Sequence, residues 1–176
     1  MSNALLERLE NLRERLPSEG RVAGKATSVI TRLILLGEFI DETVNKAICL
    51  GKTRKGCKTE NGTEVCITGC AGIYASREEG TLRIWKTRSN VFSAELSISE
   101  LRINSEDYTI KANAERLYIT IPADGTKETI EIDLRDASSI FNNYQLISYA
   151  LKNLERLIYK ARENLEQCIK SSRIAC

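Results

Sequence analysis

Between Thr63 and Leu134 the sequence repeats one pattern six times: a short run of alternating apolar and polar residues, followed by a connector. The runs are EVCITGCAGIYA, TLRIWKT, VFSAELSIS, DYTIKA, RLYITI and TIEIDL, and the connectors include REEG, RSN, NAE and PADG. Period-two alternation sends successive side chains to opposite faces of a strand. Connectors this short leave no room for a crossover helix, so consecutive strands must run antiparallel. The segment is predicted to be an antiparallel meander with one face on a core and the other free to meet solvent. Glu100–Asn104 reads as an irregular connection within it.

The flanks carry a different period. Leu5, Leu9, Leu12 and Leu16 recur at 4-3-4 spacing and predict a helix over Asn3–Leu16, ended by Pro17-Ser18-Glu19-Gly20, with Ser18 as an N-cap for the next. Val22, Ala26, Val29, Leu33, Leu36, Ile40, Val44 and Ala47 predict a long second helix over Gly20–Leu50, with Gly51 as its C-terminal cap. After the strands, Ile140, Tyr144, Ile147, Leu151, Leu154, Ile158, Ala161, Leu165 and Cys168 keep a 4-3 repeat without a break. That spacing is a coiled-coil signature, and a helix from Ser138 or Ser139 to Lys170 would be about 45 Å long. The expectation is that part of it projects and self-associates, the alternative being a long helix folded back on its own sheet. The fold class is α+β: two N-terminal helices, an antiparallel meander, and a long coiled-coil-like C-terminal helix. Residues 1–136 form the helix–sheet unit and residues 137–176 the oligomerising helix.

Several function classes drop out early. The chain has no histidine, which removes the commonest general base and metal ligand, and zinc-deaminase chemistry with them. No glycine-rich loop joins a strand to a helix in the phosphate-binding manner. EIDLRD offers Glu131, Asp133 and Asp136 as magnesium ligands for a nuclease, but the first two end a strand and Asp136 suits a helix cap. No enzyme, cofactor or metal is expected. Net charge is +2, too small to attract a partner by itself, so any such attraction must come from local clustering.

Six cysteines, Cys49, Cys57, Cys66, Cys70, Cys168 and Cys176, stand in a chain with two glutamines, one methionine and abundant Glu, Lys and Arg. That composition suits a hyperthermophile, whose intracellular proteins tolerate disulfides. Disulfides or buried thiols are expected; the spacing, with no CxxC pair, argues against zinc without removing it. The start of the chain, MSNALLERLENLRERL, lacks the apolar block of a signal peptide, and no apolar run is long enough to span a bilayer. A cytoplasmic location is expected.

The alternation also assigns faces. Leu82 and Ile84 oppose Arg83 and Trp85; Leu117, Ile119 and Ile121 oppose Arg116, Tyr118 and Thr120; Tyr108, Ile110 and Ala112 oppose Thr109 and Lys111. In the first run, Val65, Ile67, Ala71 and Ile73 are placed on the core side, against Glu64, Thr68 and Tyr74, with Cys66 and Cys70 on that second side. The aliphatic sets form one helix-covered face. The opposite sets collect Tyr74, Arg83, Trp85, Lys111, Arg116 and Tyr118, aromatics interleaved with cations. Aromatics stack bases without sequence preference, and cations track phosphates. Arg83, Trp85, Arg116 and Tyr118 are the central candidates for binding single-stranded nucleic acid. Tyr74, Lys111 and a basic loop with Lys52, Arg54, Lys55 and Lys58 flank them. Glu131 and Asp133 close the platform on one side. The competing expectation is a protein-interaction module whose aromatic face is an oligomer interface.

In organisation and chemistry the chain resembles the ThermoDBP and ThermoDBP-related proteins of thermophilic archaea. The resemblance rests on Asn3–Leu16 and Gly20–Leu50 as leading helices, Thr63–Leu134 as the sheet and Ile140–Cys168 as the oligomerising helix. It implies binding of single-stranded DNA, or RNA, without an OB-fold, by a homo-oligomer. In one related group a homotetramer captures the strand between subunits; a dimer or tetramer through the C-terminal helix is therefore the implied assembly.

Overall fold

A computed structural model describes residues 3–17 and 19–176. Helix α1 spans Ala4–Arg15 and α2 Arg21–Thr53. Nine strands follow: β1 (Cys57–Glu60), β2 (Thr63–Ile67), β3 (Ile73–Glu78), β4 (Thr81–Lys86), β5 (Phe92–Ser97), β6 (Leu101–Ser105), β7 (Thr109–Ala112), β8 (Arg116–Ala123) and β9 (Thr126–Asp133). Helices α3 (Ala137–Asn142) and α4 (Tyr144–Ser171) complete the chain. The strands form one sheet in sequence order, antiparallel throughout, as the alternation requires.

Sheet and helices meet along an unbroken cross-strand row: Cys57, Cys66, Ala75, Ile84, Ala94, Ile103, Ile110, Ile119 and Ile130. From Cys66 to Ile119 every member of that row is buried. Its small members, Cys66, Ala75 and Ala94, lie on β2, β3 and β5, which α2 crosses, so the helix can approach closely. Toward the other side of the sheet α4 covers β6 and β7, and α3 meets β9.

The 4-3 stripe of the C-terminal helix finds its partner inside the chain. Ile147, Leu151, Leu154, Ile158, Ala161 and Leu165 are all fully buried, and α4 packs along α2. Arg32 meets Ser148 and Glu155, Phe39 meets Tyr159, and Arg162 meets Glu42 and Thr43, so numbering rises together and the two helices run parallel. The heptad seam predicted to project is an intrachain seam, and the core is continuous across residue 136. An oligomer through this helix would have to use its other side, where Tyr149 and Tyr159 are 59% and 45% exposed.

Other differences have local causes. The predicted single C-terminal helix breaks at Asn143, whose side chain donates to the Ser139 carbonyl at 2.8 Å in competition with the backbone ladder. Asp136 caps α3 by accepting from the Ser138 N–H, and Asn3 caps α1 through Leu5 and Leu6. Gly51 does not end α2, which continues to Thr53. Residues 101–105 form β6 rather than an irregular connection, because Arg102 and Asn104 alternate with Leu101 and Ile103 on a regular strand. The run 64–75 is two strands separated by a turn in which Gly69, Ala71 and Gly72 have positive φ. The Ser18 cap expected for α2 lies outside the described residues.

All six cysteines are paired: Cys49–Cys176, Cys57–Cys66 and Cys70–Cys168. Two of the three bind the end of the chain to the α2 terminus and to the β2–β3 turn. No helix among the described residues is long and apolar enough to cross a membrane.

Candidate nucleic-acid interface

The sheet face away from the helices carries two parallel rows. One runs Ile67, Tyr74, Trp85, Ser93, Asn104, Thr109, Thr120 and Thr129. Its neighbour runs Lys58, Val65, Ser76, Arg83, Glu95, Arg102, Lys111, Tyr118 and Glu131. Of the predicted site, Tyr74, Arg83, Trp85, Lys111, Arg116 and Tyr118 all lie on this face, and Lys58 joins them from β1.

Within the face the residues fall into two clusters. Tyr74 and Trp85 are direct cross-strand partners whose rings stack, with centroids 5.7 Å apart and planes 9° from parallel. The Arg83 guanidinium lies 5.6 Å from the Trp85 ring centre and pairs with Glu95 on β5 at 3.6 Å. In the second cluster the Lys111 ammonium sits 4.8 Å over the Tyr118 ring. The expected two-strand platform joined Arg83 and Trp85 to Arg116 and Tyr118, but their strands are β4 and β8. Four strand spacings, about 19 Å, separate them. Local alternation assigns faces and says nothing about how many strands intervene.

Arg116 is less available than expected. It pairs with Glu131 at 3.0 Å and with Asp133 at 3.5 Å. Hydrogen bonds from Arg135, with the charges of Arg135 and Arg116, hold the Asp133 carboxyl below the usual carboxylate range. The acidic edge is thus neutralised from within, and its cations are committed there.

The basic loop also divides. Lys52 is in α2 and pairs with Glu64 at 3.3 Å. Arg54 donates to the carbonyls of Thr68 and Gly69, each at 3.0 Å, and to Ser172 Oγ at 2.8 Å, which makes it a clamp between the β2–β3 turn and the chain end. Lys55 occupies the left-handed turn at φ 59° and is exposed. Lys58, exposed on the open face, has no carboxylate within 4 Å among the described residues, and the same holds for Lys111.

The face assignment of the first run is overturned. Val65 and Ile67 lie on the open face, 38% and 55% exposed, while Cys66 is buried beneath the helices. Six residues, an even number, lie between the cross-strand partners Ile67 and Tyr74, so odd-numbered residues of β2 share a face with even-numbered residues of β3 and alternation carried back from Ile73 comes out inverted. Ile67 then extends the Tyr74–Trp85 pair toward the β1 edge.

Ser93 and Asn104 were missed. Both follow Trp85 in the same row, and Asn104 Nδ2 donates to Ser93 Oγ at 3.3 Å. The signal for Ser93 was present, since Phe92, Ala94 and Leu96 alternate with Ser93 and Glu95. Asn104 was hidden by reading its strand as a connection.

Next to Trp85, Lys86 points to the helix side and is 6% exposed. Its ammonium donates to the Arg88 and Ser89 carbonyls, tying down the turn that follows β4. Burial, and then the charge of Arg88, lowers its pKa from the ordinary lysine value. No protein-family model, curated protein or solved structure matches this chain.

Proposed function

We propose that this protein binds single-stranded nucleic acid, DNA in the first instance, on the open face of its sheet. The observation that carries the reading is the Tyr74–Trp85 stack beside Arg83 on a face with no helix over it. Trp85 is half-buried, and an indole stacks any base wherever a ring face is open, while a neighbouring guanidinium adds attraction for base and phosphate together. Lys58, Lys111 and Tyr118 lengthen the track across the sheet. Binding of a strand rather than catalysis is the role this arrangement suits. The three disulfides fit an oxidising compartment, or the disulfide-tolerant cytosol of a hyperthermophile that the composition suggests.

A salt titration with a labelled oligo-dT tests the reading. With Lys58, Arg83 and Lys111 as phosphate contacts, log K should fall against log salt with a slope of about −2. Absence of binding at low salt would remove the proposal. Trp85→Ala should weaken binding about tenfold or more with the melting temperature almost unchanged, since one stacked base is worth roughly 1–3 kcal/mol.

A second reading has its own observation. Val65 and Ile67 extend the aromatic row as exposed aliphatics, which favours contact with another protein surface, including a second copy in a dimer or tetramer. If Ile67→Lys lowers the mass in light scattering while oligonucleotide affinity is unchanged, this face is an oligomer interface.

A further inference from the structure

The sheet ends on two unequal edges. β1 is four residues long and tied to β2 by Cys57–Cys66, whereas β9 is eight residues long and pairs with β8 one to one without a bulge. β9 contains no proline, and every residue from Thr126 to Thr129 is exposed. An edge this long and regular offers its backbone groups to any strand that fits it.

The hairpin decides which of those groups point outward. Asp124 and Gly125 form a two-residue loop with positive φ at both positions, so the closing pair Ala123–Thr126 exchanges hydrogen bonds. Counting by twos, Glu128, Ile130 and Ile132 also bond to β8, and the Leu134 N–H keeps that parity by donating to Glu115 O at 2.8 Å. Lys127, Thr129, Glu131 and Asp133 therefore aim their backbone groups away from the sheet. Asp133 is already satisfied: its N–H donates to Ser139 Oγ at 3.3 Å, and its carbonyl accepts from the Asp136 N–H at 3.2 Å. Three open residues remain, spaced evenly about Thr129.

That symmetry fits a second copy of the same strand. Two β9 strands laid antiparallel about a twofold axis at Thr129 place Lys127 opposite the partner's Glu131, Thr129 opposite the partner's Thr129, and Glu131 opposite the partner's Lys127. Each of these pairs exchanges two backbone hydrogen bonds, about six in all. The charges agree with the backbone. Lys127 has no ion pair among the described residues, and Glu131 is bonded to Arg116 through Oε1, which leaves Oε2 for the ammonium. Sliding the strands by two residues one way sets Glu128 against the partner's Glu128. Sliding them the other way enlists Asp133, whose backbone groups are taken. A shift of one residue sets outward groups against inward ones.

We infer that β9 is a dimerisation edge whose partner is a second copy of this chain, in the register that pairs Lys127 with the partner's Glu131. The inference rests on the strand edge and is independent of the proposed binding of nucleic acid. The paired odd-numbered residues share one face, so the two open faces look the same way and the sheets become one. The two Tyr118 residues then stand three strand spacings, about 14 Å, apart.

Sedimentation equilibrium on the full chain, over a series of micromolar concentrations, tests the inference. The wild type should show a monomer–dimer equilibrium, or a larger assembly that contains this contact. Thr129→Pro removes an N–H that the monomer does not use, as a proline on a solvent-facing edge does, and deletes both hydrogen bonds at the axis. It should raise the dissociation constant about 100-fold with the far-UV circular dichroism unchanged. Lys127→Glu should raise it about tenfold by setting acid against acid twice. Lys127→Glu combined with Glu131→Lys should restore it, because the pair is exchanged and not removed. A wild type that stays monomeric throughout would overturn the inference. So would an oligomer that none of these variants weakens, which would place the contact on α4 or on the open face. Should Thr129→Pro unfold the chain, the charge variants decide: no weakening by Lys127→Glu, or no recovery in the double variant, would overturn the register.

Discussion

Replacing Cys70 and Cys168 together by serine will lower the midpoint of thermal unfolding by roughly 10–20 °C. The cross-link spans 98 residues and ties α4 to the β2–β3 turn. Closing a loop of that size removes conformational freedom from the unfolded chain worth about 4.7 kcal/mol. In a protein of this length each kcal/mol moves the midpoint by about 2–4 °C. The same reasoning ranks the three bonds. Cys49–Cys176 spans 127 residues and should cost about as much as Cys70–Cys168. Cys57–Cys66 spans nine and joins directly paired residues of β1 and β2, so its loss should cost about half as much. Calorimetry on the three paired-serine variants reads the order directly. If loss of Cys57–Cys66 proves the most damaging, the bonds act by holding native geometry rather than by restricting the unfolded state.

Alanine at three glycines of the α2 region will give effects of opposite sign. Gly24 faces open space, and alanine there should stabilise by about 0.5–1 kcal/mol through helix propensity alone. Gly51 is equally helical, yet a Cβ there would stand 2.8 Å from Cys66 Cβ and 3.1 Å from Cys57 Sγ. Alanine should destabilise by about 1–2 kcal/mol in spite of its better propensity. Gly56 is the strictest. Its N–H donates to Gly51 O, its carbonyl accepts from Ile67 N–H, and an added Cβ would press into the backbone oxygen of Ile67, which cannot turn aside. Gly56→Ala should cost about 3 kcal/mol or more. Urea midpoints at constant m-value measure all three. A Gly51→Ala protein at least as stable as wild type would show that the helix end does not close on the β1–β2 hairpin.

Much of the architecture was legible because periodicity is a local property. Leu82 and Ile84 against Arg83 and Trp85, and Leu117 and Ile119 against Tyr118, go to the faces that their alternation dictates. The failures occur where a distant partner decides. The stripe from Ile140 to Leu165 announces a helix seam, but its sequence does not say whether the facing helix belongs to another chain; here it is α2. Val65 and Ile67 read as core because alternation was carried across a turn that resets it. Arg54 and Arg116 read as free cations because ion pairs and carbonyl clamps made by residues far along the chain leave no local mark. The stacked pair Tyr74–Trp85 was within reach, since both sit on the polar side of neighbouring strands.

The order of the sheet has a consequence for how such a surface changes over time. Each strand pairs only with its predecessor and its successor, so a hairpin can be gained or lost without rethreading anything else. Removing the β5–β6 pair would bring the Trp85 and Tyr118 clusters closer by two strand spacings, about 10 Å, and adding a pair would separate them by as much. The sheet is in this sense a ruler graduated in hairpins, and the interval between its two aromatic marks is set by counting strands rather than by redesigning either mark.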